Sequence, residues 1–335
     1  MPLMKVIQVD SPGAEFKLVH REIPEPAANE VRIKVEACGV CHGDAIAKEG
    51  HFPGLKYPRV PGHEVVGTIE KLGSPDVGWK LGQRVGVGWH GGHCGCCAPC
   101  RSGDFGACEK ALTTGLSIDG GYAERMIARA DVLSSIPDEL TSAAAAPLLC
   151  AGRTTFGALQ CSGARPGDLV VIHGLGGLGH LALQFAVKSG YHTVVVSRGK
   201  EKEALARQLG AHGFLDATAG NPAEELKKLG GARVILCTAP SGKAISGLVG
   251  GLARDGRLII VSGASDMMQI PPMLLLGGRR SISGWVGGSI DDTIRFSLRF
   301  GVKAMIETFP LERAAEAYEK MMTAKVHFRA VLQIS

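Results

Sequence analysis

Five cysteines lie between residues 94 and 108, and four of them have the spacing of a metal site. Cys94, Cys97, Cys100 and Cys108 follow the pattern C-x2-C-x2-C-x7-C. Four thiolates at this spacing suit one closed tetrahedral Zn²⁺ site, and an incidental cysteine cluster is the alternative. Cys96 is surplus, and we expect it not to bind the metal because it adjoins Cys97. A closed site binds no substrate, so this zinc would hold a loop and the chemistry must lie elsewhere.

A glycine-rich turn follows an apolar, strand-like run that ends at His173, and it precedes a helix-like run. This order of strand, turn and helix is what the dinucleotide fingerprint requires. Gly174 permits the tight turn, Gly176 lets the backbone approach a pyrophosphate, and Gly179 lets the helix pack closely on the strand. A turn without a ligand is the alternative. The predicted cofactor-binding residues of the turn are Gly174, Leu175, Gly176, Gly177, Leu178 and Gly179.

The next predicted strand ends at Ser197, where NAD sites usually carry an acidic residue for the ribose 2′-hydroxyl. Here Arg198 follows instead, and Lys200 and Lys202 come soon after. A guanidinium group can form a bidentate contact with a phosphate. The sequence therefore favours NADP, with NAD possible, and predicts Ser197, Arg198 and Lys202 as cofactor-binding residues. The alternative is that these cations lie at the solvated start of a helix.

The composition is that of a globular protein with two domains. Of 335 residues, 45% are hydrophobic and 21% are charged. The net charge of +5 comes from 37 basic and 32 acidic residues that are interspersed, so we expect no nucleic-acid partner. The apolar runs are too short to cross a membrane, and we expect no membrane partner. Unpaired cysteines beside a thiolate metal site favour the reducing cytoplasm.

Two patterns of secondary structure follow each other along the chain. Residues 1 to about 130 consist of alternating or β-branched runs separated by Gly and Pro, which indicates a small barrel or sandwich of strands. From about Pro147, apolar strands alternate with helices, including a predicted helix near Lys243 to Ala253 and a strand at Leu258 to Val261. This alternation predicts right-handed βαβ units and a parallel sheet. The end, from Ser289, adds two helices and a strand that do not extend this alternation.

Several motifs in a fixed order make the chain, over nearly its whole length, resemble the zinc-dependent alcohol dehydrogenases of the medium-chain dehydrogenase/reductase superfamily. They are Gly39-Val-Cys-His-Gly-Asp44, Pro61-Gly-His-Glu-Val-Val-Gly67, Gly120-Gly-Tyr-Ala-Glu124, Cys150-Ala-Gly152, the four cysteines and the glycine turn.

The resemblance implies an α/β fold, with a Rossmann doubly wound parallel sheet and a GroES-like β-barrel catalytic domain. The catalytic domain would span residues 1–148, with the zinc lobe at about 94–108. The dinucleotide-binding domain would span 149–286, and 287–335 would return to the catalytic domain.

The resemblance also implies a catalytic zinc held by Cys41, His63 and Cys150, the Cys2His set of alcohol dehydrogenases. Glu64 would enter the metal shell conditionally, and Asp44 would orient His63. Together with the four-cysteine site, this predicts two Zn²⁺ per chain.

Gly43 departs from the family pattern, which usually has Ser or Thr at this position. In the family that hydroxyl passes the alcohol proton towards the cofactor ribose and solvent. A water fills the gap, His42 or His51 takes part, or alcohol oxidation is compromised. We include His42 among the candidate catalytic residues.

The predicted function is hydride transfer between a primary alcohol or aldehyde and a nicotinamide cofactor. Phe52 and Trp89 lie where the resemblance places the walls of the substrate pocket, and we also assign Thr154 and Arg329 to cofactor binding. The compact chain resembles the microbial tetrameric branch, so we expect a homotetramer. The nearest alternative is a related zinc-containing reductase for a sugar alcohol or a cinnamyl-type aldehyde. More distant alternatives are a nucleic-acid zinc module and a structural protein that has lost activity.

Overall fold

The structure is a computed structural model that describes residues 2–334, and these residues pack into two compact units. The first unit contains residues 2–150, Ile290–Leu298 and residues 304–334, and the second contains Ala151–Ser289 and Arg299–Lys303. No helix in the described part of the chain is both long and apolar enough to span a membrane.

The described residues form seventeen strands and eleven α-helices, besides five short 3-10 turns. The strands are β1 Leu3–Gln8, β2 Lys17–Glu22, β3 Glu30–Val40, β4 Val65–Leu72, β5 Arg84–Val87, β6 His90–Gly92, β7 Leu112–Thr113, β8 Arg125–Arg129, β9 Ser134–Ser135, β10 Leu169–His173, β11 His192–Ser197, β12 Gly213–Asp216, β13 Ala232–Cys237, β14 Leu252–Ile260, β15 Ser281–Gly284, β16 Ile306–Pro310 and β17 Arg329–Gln333. The helices are α1 Asp44–Glu49, α2 Ala98–Arg101, α3 Ser142–Ala145, α4 Ala151–Gln160, α5 Gly179–Lys188, α6 Glu203–Gln208, α7 Pro222–Lys228, α8 Gly242–Leu248, α9 Pro272–Leu276, α10 Ile290–Phe300 and α11 Ala314–Met322.

The first unit is built around the long strand β3. Val31, Ile33 and Val35 alternate along it and are fully buried, so one face of the strand forms part of the hydrophobic core. The main sheet has the order β16-β17-β3-β4-β5-β9, and β8 also pairs with β3. The C-terminal strand β17 runs antiparallel to β3, so the end of the chain completes the sheet that begins near residue 30.

The second unit is a six-stranded sheet with the order β12-β11-β10-β13-β14-β15, and every pair in it is parallel. Its central strand β10 is almost wholly apolar and buried, as expected for a strand covered on both faces. The parallel sheet predicted from the alternating strands and helices is therefore confirmed. The order reverses at β10, and the carboxyl edge beside such a reversal is where α/β sheets bind ligands.

One predicted element differs from the structure. The helix expected near Lys243 to Ala253 ends at Leu248, and β14 begins at Leu252 rather than at Leu258. Gly250 and Gly251 separate the two elements, and glycine is a poor helix former, so the helix does not continue through them.

Candidate active site and metal centres

A four-residue cluster lies where β3 ends and β4 begins. These strands pair antiparallel, with Cys38 opposite Val65, so the residues after β3 lie beside those before β4. The ligand atoms of the cluster all lie within 4.8 Å of one another, and they belong to Cys41, His63, Glu64 and Cys150. The structure thus brings together, within one unit, residues from three separate segments of the sequence.

The atoms of this cluster fit a zinc ion. The Sγ atoms of Cys41 and Cys150 are 3.9 Å apart, close to the roughly 3.8 Å expected of two sulfurs bound tetrahedrally at about 2.3 Å from zinc. His63 Nε2 and Glu64 Oε2 are buried and have no hydrogen-bond partner among the described residues. Buried polar atoms rarely lack a partner, and a cation held by this cluster would supply one for both atoms.

The electrostatics of the cluster favour a thiolate and a buried ion pair. The pKa of Cys41 lies well below its ordinary value because the Cys150 thiol donates a hydrogen bond to it, and His63 adds to the effect. Burial raises the pKa of Glu64 to about 7, although the Arg329 guanidinium opposes this shift. Arg329 pairs directly with Glu64, and both side chains are buried. Arg329, predicted from the sequence to bind the cofactor, thus lies beside the four-residue cluster.

His63 is oriented from its other ring nitrogen. Its Nδ1 lies 3.0 Å from Asp44 Oδ1, which leaves Nε2 facing the cluster. Asp44, at the start of α1, also accepts a hydrogen bond of 2.9 Å from the hydroxyl of Tyr122. Tyr122 belongs to the Gly120-Gly-Tyr-Ala-Glu124 motif, for which no role was predicted. No sequence signal points to this contact, because the two residues are far apart in the chain.

The residues predicted to surround the substrate lie in different settings. The ring of Trp89 contacts that of His63 edge-on, with centroids 4.8 Å apart. His42 is exposed, and Phe52 is half-buried in the loop after α1. A Cβ atom added to Gly43 would lie 2.8 Å from both His63 Cε1 and Trp89 Cζ3. The space beside Gly43 is therefore bounded by the imidazole of His63 and the indole of Trp89.

The four-cysteine lobe also brings its ligands together. The sulfurs of Cys94, Cys97, Cys100 and Cys108 lie within 4.8 Å of one another. Cys94 Sγ is 4.0 Å from Cys100 Sγ and 3.6 Å from Cys108 Sγ, again close to the tetrahedral spacing. Backbone N–H groups of Cys96 and Cys97 lower the pKa of Cys94 to about 5, which favours a thiolate ligand. The Cys96 side chain itself is exposed and is not part of the four-sulfur group.

The glycine turn joins β10 to α5 at the carboxyl edge of the parallel sheet. Gly174 has a φ of 93°, and Gly179 packs so closely that an added Cβ would lie 1.9 Å from the Gly174 carbonyl oxygen. A Cβ on Gly176 would meet no atom within 4 Å. Gly174 and Gly179 are therefore required by the turn itself, whereas Gly176 leaves open space that a ligand can approach.

The residues assigned to the 2′-phosphate lie around the end of β11. Ser197 is buried, Arg198 is exposed, and Lys202 Nζ donates a hydrogen bond of 2.9 Å to the carbonyl of Leu175 in the glycine turn. One carboxylate that the sequence analysis did not consider also lies here. Asp216 Oδ1, at the end of β12, accepts a hydrogen bond of 2.8 Å from the N–H of Gly199.

Asp216 Oδ1 also accepts hydrogen bonds from the backbone N–H and the hydroxyl of Thr218, at 2.8 and 2.7 Å. Of these three donors, the N–H of Gly199 belongs to the loop that carries Arg198, and the two groups of Thr218 belong to the turn after β12. The remaining predicted cofactor residue, Thr154, lies half-buried in α4.

Comparison with known proteins identifies both halves of the chain. Residues 27–138 match the alcohol dehydrogenase GroES-like domain, and residues 177–303 match the zinc-binding dehydrogenase domain. The alcohol dehydrogenase patD of Penicillium expansum is 43% identical, covering 96% of this chain and 94% of its own length. An alcohol dehydrogenase of Geobacillus stearothermophilus is 37% identical, covering 99% of this chain and 100% of its own.

Among solved structures, a cinnamyl alcohol dehydrogenase of Sorghum bicolor superposes with a TM-score of 0.88 at 29% identity, covering 99% of this chain and 98% of its own. The predicted fold class, a Rossmann parallel sheet with a GroES-like domain, is confirmed. The chain therefore belongs to the zinc-type alcohol dehydrogenases of the medium-chain dehydrogenase/reductase superfamily, oxidoreductases that act on alcohols.

Proposed function

We propose that this chain is a zinc-dependent alcohol dehydrogenase and aldehyde reductase that uses the Cys41, His63 and Cys150 cluster as its catalytic metal site. The observation that carries the proposal is the buried, unpartnered Nε2 of His63, which lies among two cysteine sulfurs and Glu64. Bound zinc supplies a Lewis acid that polarises the substrate oxygen. The reaction is hydride transfer between the substrate carbon and the nicotinamide.

The residues of the cluster have separate roles in this proposal. Cys41, His63 and Cys150 would hold the metal, which would act as a Lewis acid on the substrate oxygen. Asp44 keeps the proton of His63 on Nδ1, so that the lone pair of Nε2 is available to the metal. Glu64 is the conditional ligand. Its Oε1 pairs with Arg329, whereas its buried Oε2 has no hydrogen-bond partner among the described residues, so Oε2 would be the ligand atom.

We further propose that NADP is the preferred cofactor. Arg198 is exposed beside the glycine turn, and Lys202 already reaches the carbonyl of Leu175 in that turn. These cations suit a 2′-phosphate. Asp216 does not compete for a ribose hydroxyl through Oδ1, because that oxygen already accepts three hydrogen bonds.

A primary alcohol or aldehyde is the proposed substrate, and Trp89 next to His63 supports this choice. A bulky ring beside the metal ligand disfavours branched secondary alcohols. The similarity to a cinnamyl alcohol dehydrogenase keeps a cinnamyl-type aldehyde as the second candidate. A sugar alcohol is the third.

We also propose two zinc ions per chain, a homotetramer and a cytoplasmic location. All the cysteines of the chain are free thiols in the structure, which suits a reducing compartment. Light scattering on the purified protein tests the tetramer. A monomeric mass would contradict it.

The experiment that tests the function compares kcat/KM with NADPH and NADH over a panel of primary alcohols, secondary alcohols, sugar alcohols and cinnamyl aldehyde. His63→Ala should abolish turnover and remove one zinc while the lobe zinc stays bound. Full activity of His63→Ala, or one zinc per fully loaded wild-type chain, would contradict the proposed catalytic site.

A further inference from the structure

Asp44 is held by four hydrogen-bonding partners, and they divide evenly between its two oxygens. Oδ1 contacts Nδ1 of His63 at 3.0 Å and accepts from the N–H of Gly62 at 3.3 Å. Oδ2 accepts from the N–H of Cys41 at 2.9 Å and from the hydroxyl of Tyr122 at 2.9 Å. The two donors to Oδ2 fix the rotation of the carboxylate, and this rotation sets the direction in which Oδ1 meets His63.

Tyr122 differs from the other partners of Asp44. Gly62 and Cys41 donate from the backbone, and His63 is itself the residue being oriented. Tyr122 is thus the one side-chain donor that could be absent without altering the backbone. Its ring is fully buried, and burial removes any competing water from the hydroxyl.

The segment that carries His63 also forms the packing site of Tyr122. Gly62 has a φ of 100°, and a Cβ on it would lie 2.5 Å from Tyr122 Cδ1. The N–H of Tyr122 donates to the carbonyl of Pro61 at 3.0 Å, and the N–H of Gly121 donates to that of Gly62 at 3.0 Å. The tyrosine and the histidine are therefore fixed relative to each other by neighbouring backbone.

We propose that Tyr122 is a positioning residue for the metal site. Its hydroxyl fixes the orientation of the Asp44 carboxylate, and this carboxylate in turn directs Nε2 of His63 towards the metal. Partners one step removed from a metal ligand commonly tune metal affinity and activity. Tyr122 acts one step further out and touches neither substrate nor cofactor. The inference rests on the proposed assignment of a metal to Cys41, His63 and Cys150.

The chain offers a matched control for removing this hydroxyl. Tyr318 lies in the same hydrophobic core as Tyr122 and is 8% exposed. Its hydroxyl is buried and has no hydrogen-bond partner among the described residues. Tyr122→Phe and Tyr318→Phe therefore each remove one buried hydroxyl and keep the ring, but only the first removes a hydrogen bond to Asp44.

The test follows metal loss from the full-length protein. Zinc release to a chelator is measured by a colorimetric dye, with the lobe zinc as an internal reference, and the cobalt(II)-substituted proteins are compared by their visible absorption. Tyr122→Phe should lose the active-site metal about five- to tenfold faster, the factor that corresponds to one hydrogen bond. Its cobalt spectrum should also shift, whereas Tyr318→Phe should behave like the wild type.

A cycle with Asp44→Asn tests whether the effect passes through the carboxylate. Tyr122→Phe should add little to Asp44→Asn if the hydroxyl acts only through Asp44. Additive effects, metal release from Tyr122→Phe at or below the wild-type rate, or equal effects of the two tyrosine variants would overturn the inference alone. A wild-type chain that holds only the lobe metal would contradict the proposed function, and this inference with it.

Discussion

Trp89 lies edge-on against His63, with ring centroids 4.8 Å apart and planes at 85°. The indole and the imidazole together bound the space into which a side chain at position 43 would point. Gly43 is therefore more than a missing hydroxyl. The absence of a Cβ lets the indole rim approach the imidazole of His63, and any side chain introduced there has to displace the indole slightly.

The first prediction concerns proton transfer at Gly43. Gly43→Ser supplies a hydroxyl, and Gly43→Ala adds the same Cβ without one. Because both variants displace Trp89 alike, the difference between them reports the hydroxyl alone. If the missing hydroxyl limits proton release, Gly43→Ser should oxidise alcohols faster than Gly43→Ala at pH 7. A positioned proton-transfer group contributes about 10²–10⁴-fold. The pH profile of kcat should also rise less steeply for Gly43→Ser than for the wild type.

The control is metal and cofactor content, which both variants must retain. If Gly43→Ser and Gly43→Ala have the same pH–rate profile, no relay is missing. Gly43 then serves packing around Trp89 alone.

The second prediction distinguishes the metal ligands of the zinc lobe from the neighbouring cysteine that is expected not to bind metal. Cys94→Ala should lose one zinc per chain, because three sulfurs remain where four lie together. Cys96→Ala, which removes an exposed neighbouring thiol, should keep both metals. We expect the Tm of Cys94→Ala to fall by about 4–12 °C, as a loss of 2–3 kcal/mol would produce in a domain of this size. Elemental analysis and calorimetry provide the two readouts. Loss of zinc from Cys96→Ala instead would mean that the ligand set includes Cys96.

Local patterns in the sequence were enough to predict the parallel sheet and the setting of the glycine turn. β10 is a short apolar run directly before Gly174, and the roles of Gly174 and Gly179 depend only on neighbouring backbone. The cysteine lobe is equally local, because its four ligands lie within one short loop. Spacing is informative in such cases, since sequence distance limits spatial distance.

Contacts between distant segments could not be predicted in this way. Cys150 comes near Cys41 only because the main sheet of the first unit and the short turn that ends at Cys150 pack around a common hydrophobic core. The hydrogen bond from Tyr122 to Asp44 and the ion pair of Arg329 with Glu64 depend on the same long-range packing. The family resemblance supplied a ligand set, but it did not supply these supporting contacts.

The third prediction uses a buried histidine at the end of β10. Burial lowers the pKa of His173 from 6.5 to about 4, and its Nδ1 has no hydrogen-bond partner in the described chain. Between these pH values the unfolded chain binds more protons than the folded one. The free energy of unfolding therefore falls as the pH drops through this window and has its full value above it.

His173→Phe removes the titrating group and loses no hydrogen bond. Between pH 7 and pH 5, the Tm of the cofactor-free wild type should fall about 4–8 °C further than that of His173→Phe. The reason is that protonation of this histidine in the unfolded chain lowers the free energy of unfolding by about 2 kcal/mol at pH 5. The exposed His192 on the neighbouring strand provides the control, as His192→Phe. Equal pH dependence of wild type and His173→Phe would show that His173 is not held neutral by burial.

The last prediction concerns cofactor choice. Arg198 is exposed in the loop that the Gly199–Asp216 hydrogen bond holds, and its guanidinium is available to form charge-assisted hydrogen bonds with a 2′-phosphate. Arg198→Ala should weaken NADPH binding by about 1–3 kcal/mol and leave NADH binding nearly unchanged. Lys228→Ala removes another exposed charge, one that pairs with Glu225 in α7 of the same unit, and should affect neither cofactor. Titration of both cofactors by calorimetry measures the difference directly, and the Arg198 effect should shrink at high salt. If the wild type prefers NADH by about tenfold or more, a gap of 1.4 kcal/mol, Arg198 and Lys202 are solvated cations rather than phosphate ligands.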